Sequence, residues 1–226
     1  MKKIIVTTSV KTTLELNDSA QKLADELNLE YVKRNKTTIK QLLETAKGVI
    51  VVYRNKLSYF ENDSEFFFHL DTTALKIKNS DNEPLVEIIG KEKQNVLDCT
   101  MGLAGDSILL SYYGHNVTSI EKNKIIHLIT SNGLKNYISP SEEINKAMRK
   151  IITYNYDCID YLKSTPDNSF DIVYFDPMFS HNIKESENLS GITLLADKSF
   201  PYEEFIKEAS RIGKDKIIIK AHFKDN

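Results

Sequence analysis

Four short runs of the chain end in an acid that is followed by a turn or by the start of a helical pattern. They are Asp98 in VLDCTMGLAGD, Glu121 in VTSIEKN, Asp157 in ITYNYDC and Asp176 in VYFDPMF. After Asp98, the residues Thr100, Gly102, Ala104 and Gly105 make a small-residue turn ahead of a helix, with Asp106 in its first turn. Small side chains let a ligand approach the backbone, and a helix start offers free N–H groups and positive potential, which suits a nucleotide or an amino-acid carboxylate. Glu121 follows Asp98 by twenty-three residues, close to the spacing of about 20 at which an acid on a second strand accepts ribose hydroxyls. Asp157 has the place for an adenine amino group, with Cys158 or the nearby backbone closing over the ring, and it reads equally as a helix cap. Asp176 reaches a strand rim, Pro177 stiffens the exit without needing a ladder hydrogen bond, and Phe179 offers a flat apolar face. Asp-Pro after a strand is also a common turn start, but four acids closing successive runs of one pattern argue for a shared site.

The elements that must carry these acids alternate. Strands are expected at 95–99, 116–120, 151–156, 170–175 and 216–220, and helices at 105–113, 122–137, around 141–149, at 158–164 and at 201–212. Strands separated by helices imply right-handed crossovers and a parallel sheet covered on both faces, with ligands beyond the carboxyl ends of the strands. Gly114 and Gly213 each follow a helical pattern and are expected in the left-handed position that ends a helix. The chain changes character near residue 93. Before it, KIIVTT and GVIVVYR read as strands around the helical patterns ELNDSAQKLADELNL and IKQLLETA, while SEFFFHLDTTALKIKN reads as a hairpin or a strand with a loop. The expected organisation is a small α+β region over 1–93 and a doubly wound, mostly parallel α/β domain over 94–226.

Composition narrows the function classes. With 30 Lys and Arg against 32 Asp and Glu, the chain has no overall cationic field, so a nucleic acid must be held by a local patch. The first sixty residues contain eleven Lys or Arg against six Asp or Glu, and Lys33, Arg34, Lys36, Arg54, Lys76, Lys78 and Lys220 are candidates for phosphate contacts, each reading as well as a solvated charge. His69 reads as a packed residue. The two cysteines, Cys99 and Cys158, form no CxxC and suggest reduced, packed thiols, and no residue cluster has metal-ligand spacing. MKKIIVTTSV is too short in apolar residues for a signal-peptide core and no later run could span a bilayer, so the cytoplasm is the expected location and no membrane partner is expected. The turn after Asp98 departs from the dinucleotide fingerprint G-x-G-x-x-G, which argues against hydride transfer.

VLDCTMGLAGD and YFDPMF, in this order with Glu121 between them, resemble the paired motifs of class I S-adenosylmethionine-dependent methyltransferases, and among these of the RsmJ-like 16S rRNA guanine-N2 methyltransferases. The resemblance covers residues 94–220 best and implies a Rossmann-like fold with S-adenosylmethionine as cofactor. It implies that Asp98, Thr100 and Gly102 shape the cofactor turn and that Gly105 and Asp106 contact the methionine end. Glu121 and Lys122 would meet the ribose, Asp157 and Cys158 the adenine, and Asp176 would stand where cofactor and target converge. On the acceptor side it implies Asp176, Pro177 and Phe179 around the exocyclic amine of a base, with ribosomal RNA or the small ribosomal subunit as partner. Ala104 stands where this family usually has glycine. The chain stops before the antiparallel strand pair that normally follows the fifth strand. An amino methyltransferase acting on DNA or protein, and a non-catalytic cofactor- or RNA-binding module, are the alternatives.

Overall fold

Runs of β-branched and apolar residues make the strands, and residues that can accept a backbone N–H make the helix starts. The computed structural model describes residues 2–78, 83–176 and 200–220. Two compact units divide between Phe68 and His69. The first contains β1 (Ile4–Thr8), α1 (Leu14–Leu27), β2 (Glu30–Tyr31), α2 (Ile39–Thr45), β3 (Gly48–Val52), β4 (Leu57–Glu61) and β5 (Ser64–Phe67). Its sheet runs β2-β1-β3-β4-β5, parallel over the first three strands and antiparallel over the last two pairs. Thr13 caps α1 through its side chain, and Thr38 and Gln41 form a reciprocal capping box on α2. Gly48 leaves room for the ring of Tyr59, which a Cβ at that position would meet at 2.3 Å.

The second unit contains α3 (Asp71–Lys78), α4 (Pro84–Ile89), β6 (Asn95–Asp98), α5 (Gly105–Tyr112), β7 (Asn116–Glu121), α6 (Lys124–Asn136) and α7 (Glu142–Lys150). It continues with β8 (Ile152–Asn155), α8 (Cys158–Ser164), β9 (Phe170–Phe175), α9 (Tyr202–Ile212) and β10 (Gly213–Ile219). The sheet order is β10-β9-β6-β7-β8 with every pair parallel. The chain steps outward from β6 through β7 to β8, then returns to the other side of β6 with β9 and β10. The order therefore reverses between β6 and β9, where the connections leave to opposite faces and open a crevice at the carboxyl ends. Alternate residues of the same strands fill two cores, as a sheet covered on both faces requires. Leu97, Val173 and Phe175 pack with Leu162 of α8 and with Phe205 and Ile212 of α9. Val96, Ile172 and Tyr174 pack with Leu109 and Leu110 of α5 and with Leu85 and Ile89 of α4.

Three local expectations change. SEFFFHLDTTALKIKN is strand β5 followed by helix α3, which packs on α5, buries Thr73, sets Ile77 against the core and leaves Leu75 exposed. Both α3 and α4, which precede residue 93, belong to the second unit. Gly114 has the left-handed φ of +97° expected after a helix, whereas Gly213 has φ −86° and starts β10. A Cβ at Gly213 would meet the Ala209 carbonyl at 3.0 Å and Val173 Cγ2 at 3.3 Å, so close packing explains this glycine.

Candidate active site

The crevice is built from the connection between β6 and α5. Asp98 ends β6 and is 2% exposed. Its Oδ1 accepts the Thr100 N–H at 2.9 Å and its Oδ2 accepts the Ser107 hydroxyl at 2.5 Å, while Ser107 Oγ lies 2.7 Å from Ser119 Oγ on β7. Burial pushes the Asp98 carboxyl up to about 7, against the hydrogen bonds from Ser107 and Thr100 and with help from Asp106 and Asp176. The carboxylate thus ties the turn to the first turn of α5. Gly102 and Ala104 both have left-handed backbones, at φ +51° and +59°. Ala104 is wholly buried and is the N-cap of α5, so the methyl group is accommodated in a conformation that glycine adopts without cost. Asp106 lies in the first turn of α5, as expected, and its carboxylate pairs with Lys76 and Lys220.

Glu121 closes β7 and reaches back to this turn. Its Oε2 accepts the Gly102 N–H at 3.2 Å and its Oε1 accepts the Asn123 N–H at 2.8 Å. Burial pushes its carboxyl up and the two backbone bonds oppose that. Each oxygen retains a lone pair, because an ionised carboxylate has about four acceptor sites. On the open side of the turn, a Cβ built on Gly102 would meet nothing closer than the Thr100 carbonyl at 3.9 Å. Asp157 caps α8, accepting the N–H groups of Ile159 and Asp160 on Oδ1, and its Oδ2 pairs with Lys122 at 3.1 Å. Lys122 and Asp157, read from two different strand ends, are therefore in contact. Cys158 starts α8 and is buried in the same core as Cys99. The two thiols are free and hydrogen-bonded to each other, and burial pushes the Cys99 thiol up.

Asp176 follows β9 across the crevice. Its N–H donates to Thr100 Oγ1 at 2.7 Å, which joins the ends of β6 and β9. Its Oδ2 accepts Lys220 Nζ at 2.5 Å, and the same ammonium lies 3.3 Å from Asp106 Oδ2. Asp106 also accepts the Tyr174 hydroxyl on Oδ2 at 2.6 Å and Lys76 Nζ on Oδ1 at 2.6 Å. Burial alone would push Asp106 up, but Lys220 and Lys76 hold it below the usual carboxylate range. Asp176 is pushed up by burial despite Lys220. Pro177, Met178 and Phe179 lie outside the described residues.

Ser107, Ser119 and Tyr174 carry no sequence signal of their own, and Lys76 and Lys220, candidates for phosphate contacts or solvated charges by sequence, instead pair with Asp106 and Asp176. Two cues of position were available. Tyr174 stands on β9 two residues before Asp176, which follows that strand. Lys220 ends the run KIIIK just as the acids end theirs. Among the described residues there is no group of three or more His, Cys, Asp or Glu arranged to hold a metal ion, and no helix is long and apolar enough to cross a membrane.

Residues 22–221 match the protein family described as "Putative SAM-dependent methyltransferase". The chain belongs to this family. The methyltransferase is 35% identical over 229 residues to a protein of Bacillus subtilis (strain 168) named Uncharacterized protein YpiP, covering 97% of this chain and 89% of that one. It is 29% identical over 182 residues to Ribosomal RNA small subunit methyltransferase J of Francisella tularensis subsp. holarctica (strain FTNF002-00 / FTA), covering 79% of this chain and 70% of the relative. Among solved structures, the SAM-dependent methyltransferase NGO1261 from Neisseria gonorrhoeae superposes with a TM-score of 0.63 at 16% identity, over 95% of this chain and 83% of that one. That likeness establishes the fold, a Rossmann-like methyltransferase sheet, and S-adenosylmethionine is the family's cofactor.

Proposed function

We propose that the methyltransferase methylates an exocyclic amine of an RNA base, namely guanine N2 in small-subunit ribosomal RNA. The observation that carries this reading is Asp176: a half-buried acid at the switch point of the sheet, one oxygen engaged by Lys220, followed in sequence by Pro177, Met178 and Phe179. The name of the Francisella relative supports the choice of ribosomal RNA.

The cofactor has a suitable cradle in the left-handed Gly102 with its open side and in Glu121, whose two oxygens keep acceptor capacity. In this reading Glu121 and Lys122 meet the ribose, Asp157 and Cys158 flank the adenine, and the turn Asp98, Thr100, Gly102, Gly105, Asp106 borders the methionine end. When bound, S-adenosylmethionine supplies a methyl carbon that an amine lone pair attacks in line, leaving the electron pair of the broken bond on sulfur. The work of the protein is to aim the acceptor and exclude water. The lone pair of a guanine amine is delocalised into its ring. A hydrogen bond from that amine to the Asp176 carboxylate and another to the Pro177 carbonyl localise the lone pair, and Phe179 stacks on the base. The amine is neutral at the start and becomes acidic only as its new bond forms, so Asp176 takes the proton late or passes it to water. A base must leave its stack to enter such a site, which favours loop or single-stranded RNA. The N-terminal region, whose first sixty residues hold eleven Lys or Arg against six Asp or Glu, serves the RNA side, and the enzyme works in the cytoplasm.

Asp176→Ala tests the assignment. S-adenosylmethionine binding by calorimetry is expected to stay within about tenfold of wild type, and methyl transfer to fall at least about a hundredfold, as for loss of one positioned polar group. Unchanged turnover removes Asp176 from the mechanism. Labelled methyl transfer to naked RNA and to small ribosomal subunits, followed by nucleoside mass spectrometry, identifies the acceptor, and transfer to DNA or protein alone overturns the RNA reading.

A further inference from the structure

We propose that Lys220 is the positioning residue for Asp176: it holds that acid as an anion and occupies Oδ2, leaving Oδ1 to face the acceptor amine. The inference rests on the reading of Asp176 as the acceptor-side acid, and it assigns a role to a residue that no motif contains.

The placement begins in the backbone. Strands β9 and β10 are parallel with Ile219 opposite Phe175, and the Lys220 N–H donates to the Phe175 carbonyl at 2.9 Å, so the register sets Lys220 beside Asp176. The ammonium then bridges two carboxylates, at 2.5 Å to Asp176 Oδ2 and 3.3 Å to Asp106 Oδ2. Asp106 cannot release it freely to one side, because Lys76 and the Tyr174 hydroxyl already fix both Asp106 oxygens at 2.6 Å. The result is a chain of alternating charge, Lys76, Asp106, Lys220, Asp176, drawn from α3, α5, the end of β10 and the end of β9. Among the described residues no partner takes Asp176 Oδ1.

Without Lys220 the Asp176 carboxyl would face burial together with the negative charges of Asp106 and Asp98, with Lys76 as a second and more distant cation and Tyr174 neutral beside it. All of these favour protonation except Lys76, which is committed to Asp106. A protonated carboxyl presents a donor where the amine needs an acceptor. Lys220 removes that outcome: burial opposes its own charge, yet Asp106 and Asp176 hold it above the ordinary lysine value, so it stays charged throughout the physiological range. While the carboxylate is ionised, the ammonium on Oδ2 also sets its rotation and hence the direction of Oδ1.

The test uses Lys220→Met and Lys220→Arg in the full chain. Carbon-13 NMR of aspartate-labelled protein, with the Asp176 resonance assigned from Asp176→Asn, reads the titration of the acid without any substrate. In Lys220→Met the Asp176 carboxyl is expected to titrate about one to three pH units higher than in wild type, and Lys220→Arg to return most of that shift. The acid limb of the methyl-transfer profile should move alkaline by the same amount, with the KM for S-adenosylmethionine within about threefold, so that the variant loses at least about tenfold more rate at pH 6 than at pH 9. An unmoved Asp176 titration, or a rate loss equal at all pH values, overturns the proposal. Wild-type protein that transfers no methyl group to RNA overturns the acceptor assignment instead, while the NMR shift still reads the coupling. If Lys220→Met does not fold, Lys220→Gln gives the same comparison.

Discussion

Replacing Asp98 by asparagine should make the protein more stable at alkaline pH and leave it unchanged at strongly acid pH. Asp98 is 2% exposed, and burial raises its carboxyl from 3.8 to about 7. A group whose pKa is higher in the folded state contributes stability that is fully present below the unfolded value, near pH 4, and is lost as pH rises through 7. The shift is about three units, each equivalent to 1.36 kcal/mol, so the ionised form costs at most about 4 kcal/mol of stability above pH 8. Asparagine keeps the hydrogen bonds: its carbonyl oxygen accepts the Thr100 N–H, and its amide donates to Ser107 Oγ, which then turns its own proton to Ser119. Urea unfolding of both proteins from pH 4.5 to 9 measures the difference. Subtraction removes the contributions of His115 and His127, whose pKa values burial lowers, because both proteins share them. The expected difference is smallest at pH 4.5, about 1 kcal/mol, and grows in favour of the variant up to about pH 7. A flat difference, or a less stable variant at pH 9, refutes the assignment of a costly buried charge to Asp98.

Two further substitutions separate strain from function. Gly102→Ala places a methyl group in open space at φ +51°, so unfolding stability should fall by only about 1 kcal/mol, while S-adenosylmethionine affinity by calorimetry falls at least about tenfold if that open side receives the cofactor. Arg34 is 6% exposed, its Nε and Nη1 have no hydrogen-bond partner among the described residues, and burial lowers its pKa. Arg34→Met should therefore raise the thermal midpoint of the first unit by several degrees, about 1–2 kcal/mol, as expected when an uncompensated buried charge gives way to an apolar side chain; a lower midpoint would show that the guanidinium stabilises the fold.

The elements read best from sequence were those whose pattern had one interpretation. The helix Cys158–Ser164 and the strand Phe170–Phe175 have the boundaries expected, because turn residues flank a short apolar helix in one case and a run whose last four residues are buried in the other. Helix α3 was hidden because seven residues, TTALKIK, satisfy a period of 2 and a period of 3.6 together, and only packing on α5 decides between them. Gly213 was misread for a related reason. A glycine after a helix signals a left-handed turn, but here the constraint is close packing against the Ala209 carbonyl and against Val173 on a neighbouring strand, forty residues earlier. Asp98, Glu121, Asp157 and Asp176 are visible because each closes or follows its own strand, whereas Asp106 lies in α5. Their partners are not, since Lys76, Ser107 and Lys220 meet Asp106, Asp98 and Asp176 through sheet order and register, which no single run encodes.

Five carboxylates around one crevice repel one another, and the way each is compensated bears on which of them can act. Asp98 relies on two hydroxyl-bearing neighbours and a pKa near neutrality, Glu121 on two backbone N–H groups, and Asp157 on the start of α8 together with Lys122. Backbone donors stay in place during a reaction, so Glu121 and Asp157 are suited to holding groups that must not move. Asp106 and Asp176 are compensated by lysines, whose ammonium groups sit on flexible stems and can follow a change of charge. Among the described residues, Asp106 accepts three hydrogen bonds, while Asp176 gives one oxygen to Lys220 and keeps the other. An acid that must accept a proton late in a methyl transfer needs an unoccupied oxygen and a counter-ion able to adjust as its charge is lost, and Asp176 alone among the five combines the two.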